Sequence, residues 1–181
     1  MEAEKVLGLI LDMTLEHHQK RRLLDVAKEQ IIRYIRENFI DDDQFYLYHP
    51  QVTEVLWRLG EQVAAVGNYG TDGWKFDLEY ALKQTLYVVG AEDVDSPKLI
   101  CVISNRQRDP WLYKKLLKLN DKDSYGCNVL HVAVGESGES FEIEDANFRS
   151  VRLDDPELIV ETIKEMEYGR PDDLYCQTGS E

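Results

Sequence analysis

The chain has 181 residues, 43% of them hydrophobic, and its 35 acidic and 21 basic side chains give a formal net charge of −14. This balance suits one globular domain of ordinary size with a substantial core. It argues against nucleic acid, whose phosphates need a basic stripe, and no apolar run approaches the roughly 20 residues that span a bilayer.

The opening Met1-Glu-Ala-Glu-Lys5 is acidic, unlike a signal peptide, which starts basic and carries a longer apolar stretch. The expected compartment is the cytoplasm or nucleus. Cys101, Cys127 and Cys176 make an odd number at no metal-ligand spacing. Two of them sit in apolar runs and read as buried, reduced thiols.

The run Lys5 to Asp12 is apolar between its charged ends and closes in an acid, as expected of a parallel strand buried on both faces. Leu23, Leu24, Ala27, Ile31, Tyr34 and Ile35 then recur at helical spacing until the acids 41–43 break the pattern. Residues 44–49 read as a second strand and Thr53 to Arg58 as a third, the short link through Pro50 predicting an antiparallel hairpin. A short helix over 59–66 and a turn-rich loop over 67–73 follow. Leu78, Leu82, Leu86 and Val89 mark another helix, and Lys98 to Ser104 another buried strand. Asp109-Pro110 opens a helix through Leu112, Leu116 and Leu119, acid at the cap and proline in the first turn. Asn128 to Val134 is the next strand. Phe148 to Leu153 is a last edge strand, open to pairing with a second copy as a homodimer. Asp155-Pro156 starts a final helix, and 169–181 reads as a flexible acidic tail behind a domain of residues 1–168.

This order predicts an α/β fold: a doubly wound, mostly parallel six-stranded sheet with helices on both faces, Rossmann-like in plan. Ligands of such sheets bind beyond the carboxyl ends of the central strands. Those ends are Asp12 to Glu16, the loop Gly70 to Phe76, and Ser104-Asn105.

There, Asp12-Met-Thr14-Leu-Glu16 between a buried strand and a long helix resembles the Asp-x-Ser-x-Ser motif of von Willebrand factor A domains. In that family the acid and two hydroxyls hold a divalent cation, a loop threonine and a later aspartate complete the site, and a partner's carboxylate often supplies the last ligand. The resemblance spans about residues 5–166 and implies Asp12, Thr14, Glu16 and Asn105 as a degenerate metal site. Glu16 replaces the second hydroxyl. The loop threonine falls near Phe76, counting back from Ala81-Leu82, with Thr71, Asp72 or Asp77 as substitutes. The family's Thr-Asp-Gly becomes Ser104-Asn105-Arg106. The resemblance further implies a non-enzymatic module that binds another protein through this face, with Asp72, Trp74 and Arg106 toward the partner. A cation (magnesium, calcium or manganese) is weakly held or lost, and neither nucleic acid nor membrane is a partner.

Other readings compete. In the plainest, Thr14 caps the long helix, Glu16 favours its positive end, and backbone amides fix Asp12. A scaffold subunit would instead use helical faces or the sheet edge. Ile10-Leu-Asp12-Met-Thr14 with Val102-Ile-Ser104-Asn105 loosely resembles haloacid dehalogenase phosphatases, with Asp12 as nucleophile. That family's Asp-x-Asp acid and following Gly-Thr are missing. Adjacent His17 and His18 point about 100° apart on a helix and form no metal pair. His131, inside a strand run, reads as a core histidine. No glycine-rich phosphate loop is present. Trp57, Trp74 and Trp111 read as core or loop anchors.

Overall fold

The structure, a computed structural model, describes residues 4–13, 18–70 and 76–169. Five strands form one sheet: β1 Val6–Asp12, β2 Gln44–Leu47, β3 Lys98–Ser104, β4 Cys127–Val134 and β5 Phe148–Leu153. Their order is β2-β1-β3-β4-β5 and every pair is parallel. All residues of β1 and β3 are buried, which is why these strands read as unbroken apolar runs.

The helices are α1 His18–Asn38, α2 Leu59–Gly67, α3 Leu78–Gly90, α4 Pro110–Lys122 and α5 Ile159–Glu165, the last entered through a 3₁₀ turn at Pro156–Leu158. Aspartates begin three of these segments. Asp77 accepts from the Tyr80 amide at 3.1 Å, Asp109 from Trp111 and Asp155 from Glu157, both at 2.9 Å. Each satisfies an amide with no partner within its own helix, and after Asp109 and Asp155 a proline fixes φ for the first turn.

Alternate residues of the central strands divide between two cores. Leu7, Leu9, Leu11, Leu99, Cys101 and Ile103 pack with Leu24, Ala27 and Ile31 of α1 and with Ile159 and Ile163 of α5. Val6, Ile10, Ile100, Val102 and Val129 pack with Leu82 and Leu86 of α3 and Tyr113 and Leu116 of α4. This follows from the period-two alternation of side chains along a strand.

The expected sixth strand is not there among the described residues. Thr53 to Arg58 makes one isolated antiparallel bridge, Phe45 to Leu56, and another joins His49 to Val52. The Gln62 side chain donates to the carbonyls of Asp43 and Leu56 at 2.8 and 2.9 Å, and α2 begins at Leu59, directly after the segment. Trp57 and Trp111, which the sequence suggests as core or loop anchors, are exposed.

The expected edge strand is β5. Gly169, where the tail was expected to begin, exchanges backbone hydrogen bonds with Lys98 at 2.8 and 2.9 Å. The rest of the expected tail lies outside the described residues. Cys101 and Cys127 are buried and unpaired with each other or any cysteine, and no helix among the described residues is long and apolar enough to cross a membrane.

Candidate functional site

The β1–β3 register sets Asp12 beside Ser104 at the carboxyl ends of the two central strands. The chain then turns back over Asp12. Asn105 donates its amide to the Asp12 carbonyl at 3.4 Å, and Ser104 Oγ accepts from the Arg106 amide at 3.2 Å while donating to Asp12 Oδ2 at 2.9 Å. Arg108 closes the arrangement. Its Nε donates to Asp12 Oδ2 at 2.9 Å and its Nη2 to Oδ1 at 2.7 Å. This is a two-point fork, the strongest common geometry for a guanidinium and a carboxylate. Arg106 adds a second cation, its Nε 3.8 Å from Oδ1.

Burial makes these contacts matter. Asp12 is 0% exposed, whereas the Arg108 and Arg106 side chains keep 22% and 30% of their surface. The hydrogen bonds to Asp12 hold the Arg108 pKa above its ordinary value against the opposing effect of burial. On the neighbouring side, Tyr69 donates its hydroxyl to the Leu11 carbonyl at 3.3 Å. Burial, with the Asp12 charge second, pushes the Tyr69 hydroxyl well above its usual pKa, and Tyr113 responds in the same way. Both phenols therefore stay neutral beside the carboxylate. Tyr69 also lines a cavity of about 500 Å³ at the end of β2, with Leu47, His49, Val52 and Leu56.

Of the residues singled out from sequence, Asp12, Asn105 and Arg106 come together here. Asp77 instead caps α3, and Phe76 is half-buried with its ring 5.8 Å from Tyr48. Thr14, Glu16, Thr71, Asp72 and Trp74 lie outside the described residues. Among the described residues the side chains of Ser104 and Arg108 fix Asp12, while the helix start of the plainest reading, Thr14 and Glu16, lies outside them. Arg108 was missed altogether. The signal for it is weak but present: two arginines spaced by one residue directly after a buried strand whose neighbour ends in an acid.

Of the residues that the resemblance implies as ligands of a divalent cation, Asp12 and Asn105 fall among the described residues. Such an ion needs oxygen ligands at roughly 2.0–2.6 Å. Both Asp12 oxygens already accept guanidinium hydrogens, so an ion there would press against Arg108.

Several solved structures share this fold. The chain aligns over 91% of its length with 42% of a von Willebrand factor type A protein from Catenulispora acidiphila, at a TM-score of 0.69 and 16% identity. It aligns over 89% of its length with 98% of the BatB protein of Bacteroides thetaiotaomicron, at 0.62 and 14%. With an aerotolerance-related membrane protein from Bacteroides fragilis the coverages are 89% and 97%, at 0.61 and 11%. The fold is thus the von Willebrand factor A-like one, as the Asp12 motif implied. The chain spans less than half of the first of these proteins. No protein-family model and no curated protein sequence matches it.

Proposed function

We propose that the chain is a non-enzymatic interaction module of the von Willebrand factor A kind, which binds a partner protein at the carboxyl ends of β1 and β3. The observation that carries this reading is the loop after β3. It holds two partly exposed guanidiniums, Arg106 and Arg108, over a buried acid, and a partly apolar cavity opens nearby beside Tyr69. A rigid charged rim next to an apolar recess is the surface from which protein contacts are built. The two cores, read as opposite faces of a doubly wound sheet, would hold that rim in place. The phosphatase alternative is disfavoured because its nucleophile would be Asp12, which is buried with both oxygens hydrogen-bonded.

A photo-crosslinking residue placed at Gln107 tests the reading against one placed at Glu29 on α1. Capture of a partner from Gln107 alone, abolished by Arg106→Glu, is the expected result. Equal capture from both positions, or capture indifferent to Arg106→Glu, would sink it.

One observation favours a scaffold as the second reading. On the outer side of α3 and α4, Tyr80, Tyr87 and Trp111 are exposed among Lys83, Lys114, Lys118 and Lys122. A basic, aromatic face on so acidic a chain suits assembly with an acidic surface. Crosslinks from Lys118 rather than Gln107 would move the contact there.

A further inference from the structure

We infer that Arg108, seconded by Arg106, serves as the site's own cation: it neutralises Asp12 permanently, so that the strand-end surface is held in shape without a metal ion. Geometry comes first. Three donors fill the two Asp12 oxygens, Arg108 Nε and Nη2 at 2.9 and 2.7 Å and Ser104 Oγ at 2.9 Å. A carboxylate oxygen offers about two lone-pair positions, so among the described residues three of about four are taken, and the Arg106 Nε stands 3.8 Å from Oδ1.

Charge points the same way. One carboxylate faces two guanidiniums, so the described cluster carries a single positive charge before any ion arrives. A divalent cation would raise that to three within a few ångströms. The loop position where an acid would help to balance such an ion holds Asn105, which is neutral, while the arginines stand one and three residues later.

Desolvation explains why the replacement has to be permanent. A carboxylate with no exposed surface is strongly unfavourable unless paired and hydrogen-bonded. A guanidinium supplies both with its planar fork, tethered to the same chain, at every metal concentration. Arg106, the more exposed of the two, then becomes the group that an acidic side chain of a partner would meet. That last consequence rests on the proposed binding face, but the internal replacement does not.

The test therefore uses the free, full chain. Its thermal midpoint is measured after chelator treatment and again with millimolar magnesium, calcium or manganese. No ion should move the midpoint by more than about 1 °C. Arg108→Gln should lower it by roughly 6–20 °C, since one partner of a buried pair is lost. Asp12→Asn, which frees Arg108 to turn to solvent, should lower it less, and the double variant should fall short of the sum of the singles. Should Arg108→Gln fail to fold, the wild-type titration and Asp12→Asn still decide. A wild-type midpoint that climbs with a divalent ion, the climb vanishing in Asp12→Asn, overturns the inference. So does an Arg108→Gln variant that melts with the wild type. Loss of a partner at this face would leave all of these midpoints as predicted, so the two proposals fail separately.

Discussion

His131 Nδ1 lies 2.8 Å from Ser150 Oγ, joining β4 to β5 inside an aromatic nest. The His131 ring sits 4.8 Å from Phe141 and 5.3 Å from Tyr113. Ser150 Oγ also accepts from the Phe141 amide at 3.2 Å, so one hydroxyl ties the segment before β5 to the histidine.

This environment fixes how the fold responds to acid. Burial pulls the His131 pKa down to about 4, against a smaller upward pull from Asp12. Between the ordinary value of about 6.5 and 4 the unfolded chain takes up the proton and the folded one does not. Stability contributed by the neutral ring is complete above pH 6.5 and is lost progressively as the pH falls to 4, by roughly 3 kcal/mol in all. His131→Phe should remove this part of the acid loss while costing about 1 kcal/mol at neutral pH for the missing hydrogen bond. Urea unfolding at a series of pH values checks it. An unchanged slope between pH 6.5 and 4 in the variant would place the acid sensitivity elsewhere.

Gln62 ties the segment after β2 to the sheet edge. Its amide donates to two carbonyls 13 residues apart in sequence, those of Asp43 and Leu56. Gln62→Leu keeps the volume but removes both side-chain hydrogen bonds, leaving the Leu56 carbonyl with the Phe45 amide alone, so a loss of about 1–2 kcal/mol is expected. The loss should be local. Hydrogen exchange should speed up at the Leu56 amide, which bonds the Phe45 carbonyl at 2.8 Å, while amides of β1 and β3 keep their protection. Uniform acceleration across the sheet would mean that the link is part of the global core.

That residue also shows where sequence reading stops. Buried parallel strands announce themselves, because a run such as Leu99 to Ile103 has no other economical place, and Asp109-Pro110 and Asp155-Pro156 carry their helix starts in local chemistry. Residues 53–58 carry strand-like composition too. There the structure is a single bridge to Phe45, contacts from Gln62 and an early start of α2, none of them visible in the local pattern. The site divides likewise. Asp12, Asn105 and Arg106 stand at strand ends, where fold logic directs attention. Arg108 lies in a polar loop without periodicity, and only its position in space, 96 residues from its partner, reveals its role.

Cys101 and Cys127 should be inert thiols. Burial pushes both pKa values up to about 12 and both side chains are inaccessible. Only the thiolate reacts, so at pH 8 about one molecule in ten thousand would carry it at either position. Native protein treated with iodoacetamide should remain unmodified at these two residues over hours, and guanidinium chloride should expose both. Peptide mapping by mass spectrometry distinguishes them. Rapid native alkylation at Cys101 would require opening of the core on which α1 packs.

Gly8, midway along β1, lets α3 lie close against the sheet. A Cβ there would come within 2.7 Å of Thr85 Cγ2 and, equally, of Val89 Cγ2. Both neighbours are β-branched, one helical turn apart, and cannot swing their methyl groups aside, since a helix leaves such side chains few rotamers. Relief must come from a shift of α3 as a body, which also disturbs the packing of Leu82 and Leu86. Gly8→Ala should therefore destabilise the fold by about 1–3 kcal/mol, although alanine favours most backbones over glycine. Val89→Ala alone leaves a small cavity and also destabilises. Together the two changes should lose less than the sum of their separate effects, because the new methyl enters space that the valine has vacated; Thr85 still opposes it, so relief stays partial. A double-mutant cycle from urea unfolding reads the coupling directly. Strict additivity would show that the close approach of α3 to β1 is not what excludes a side chain at position 8.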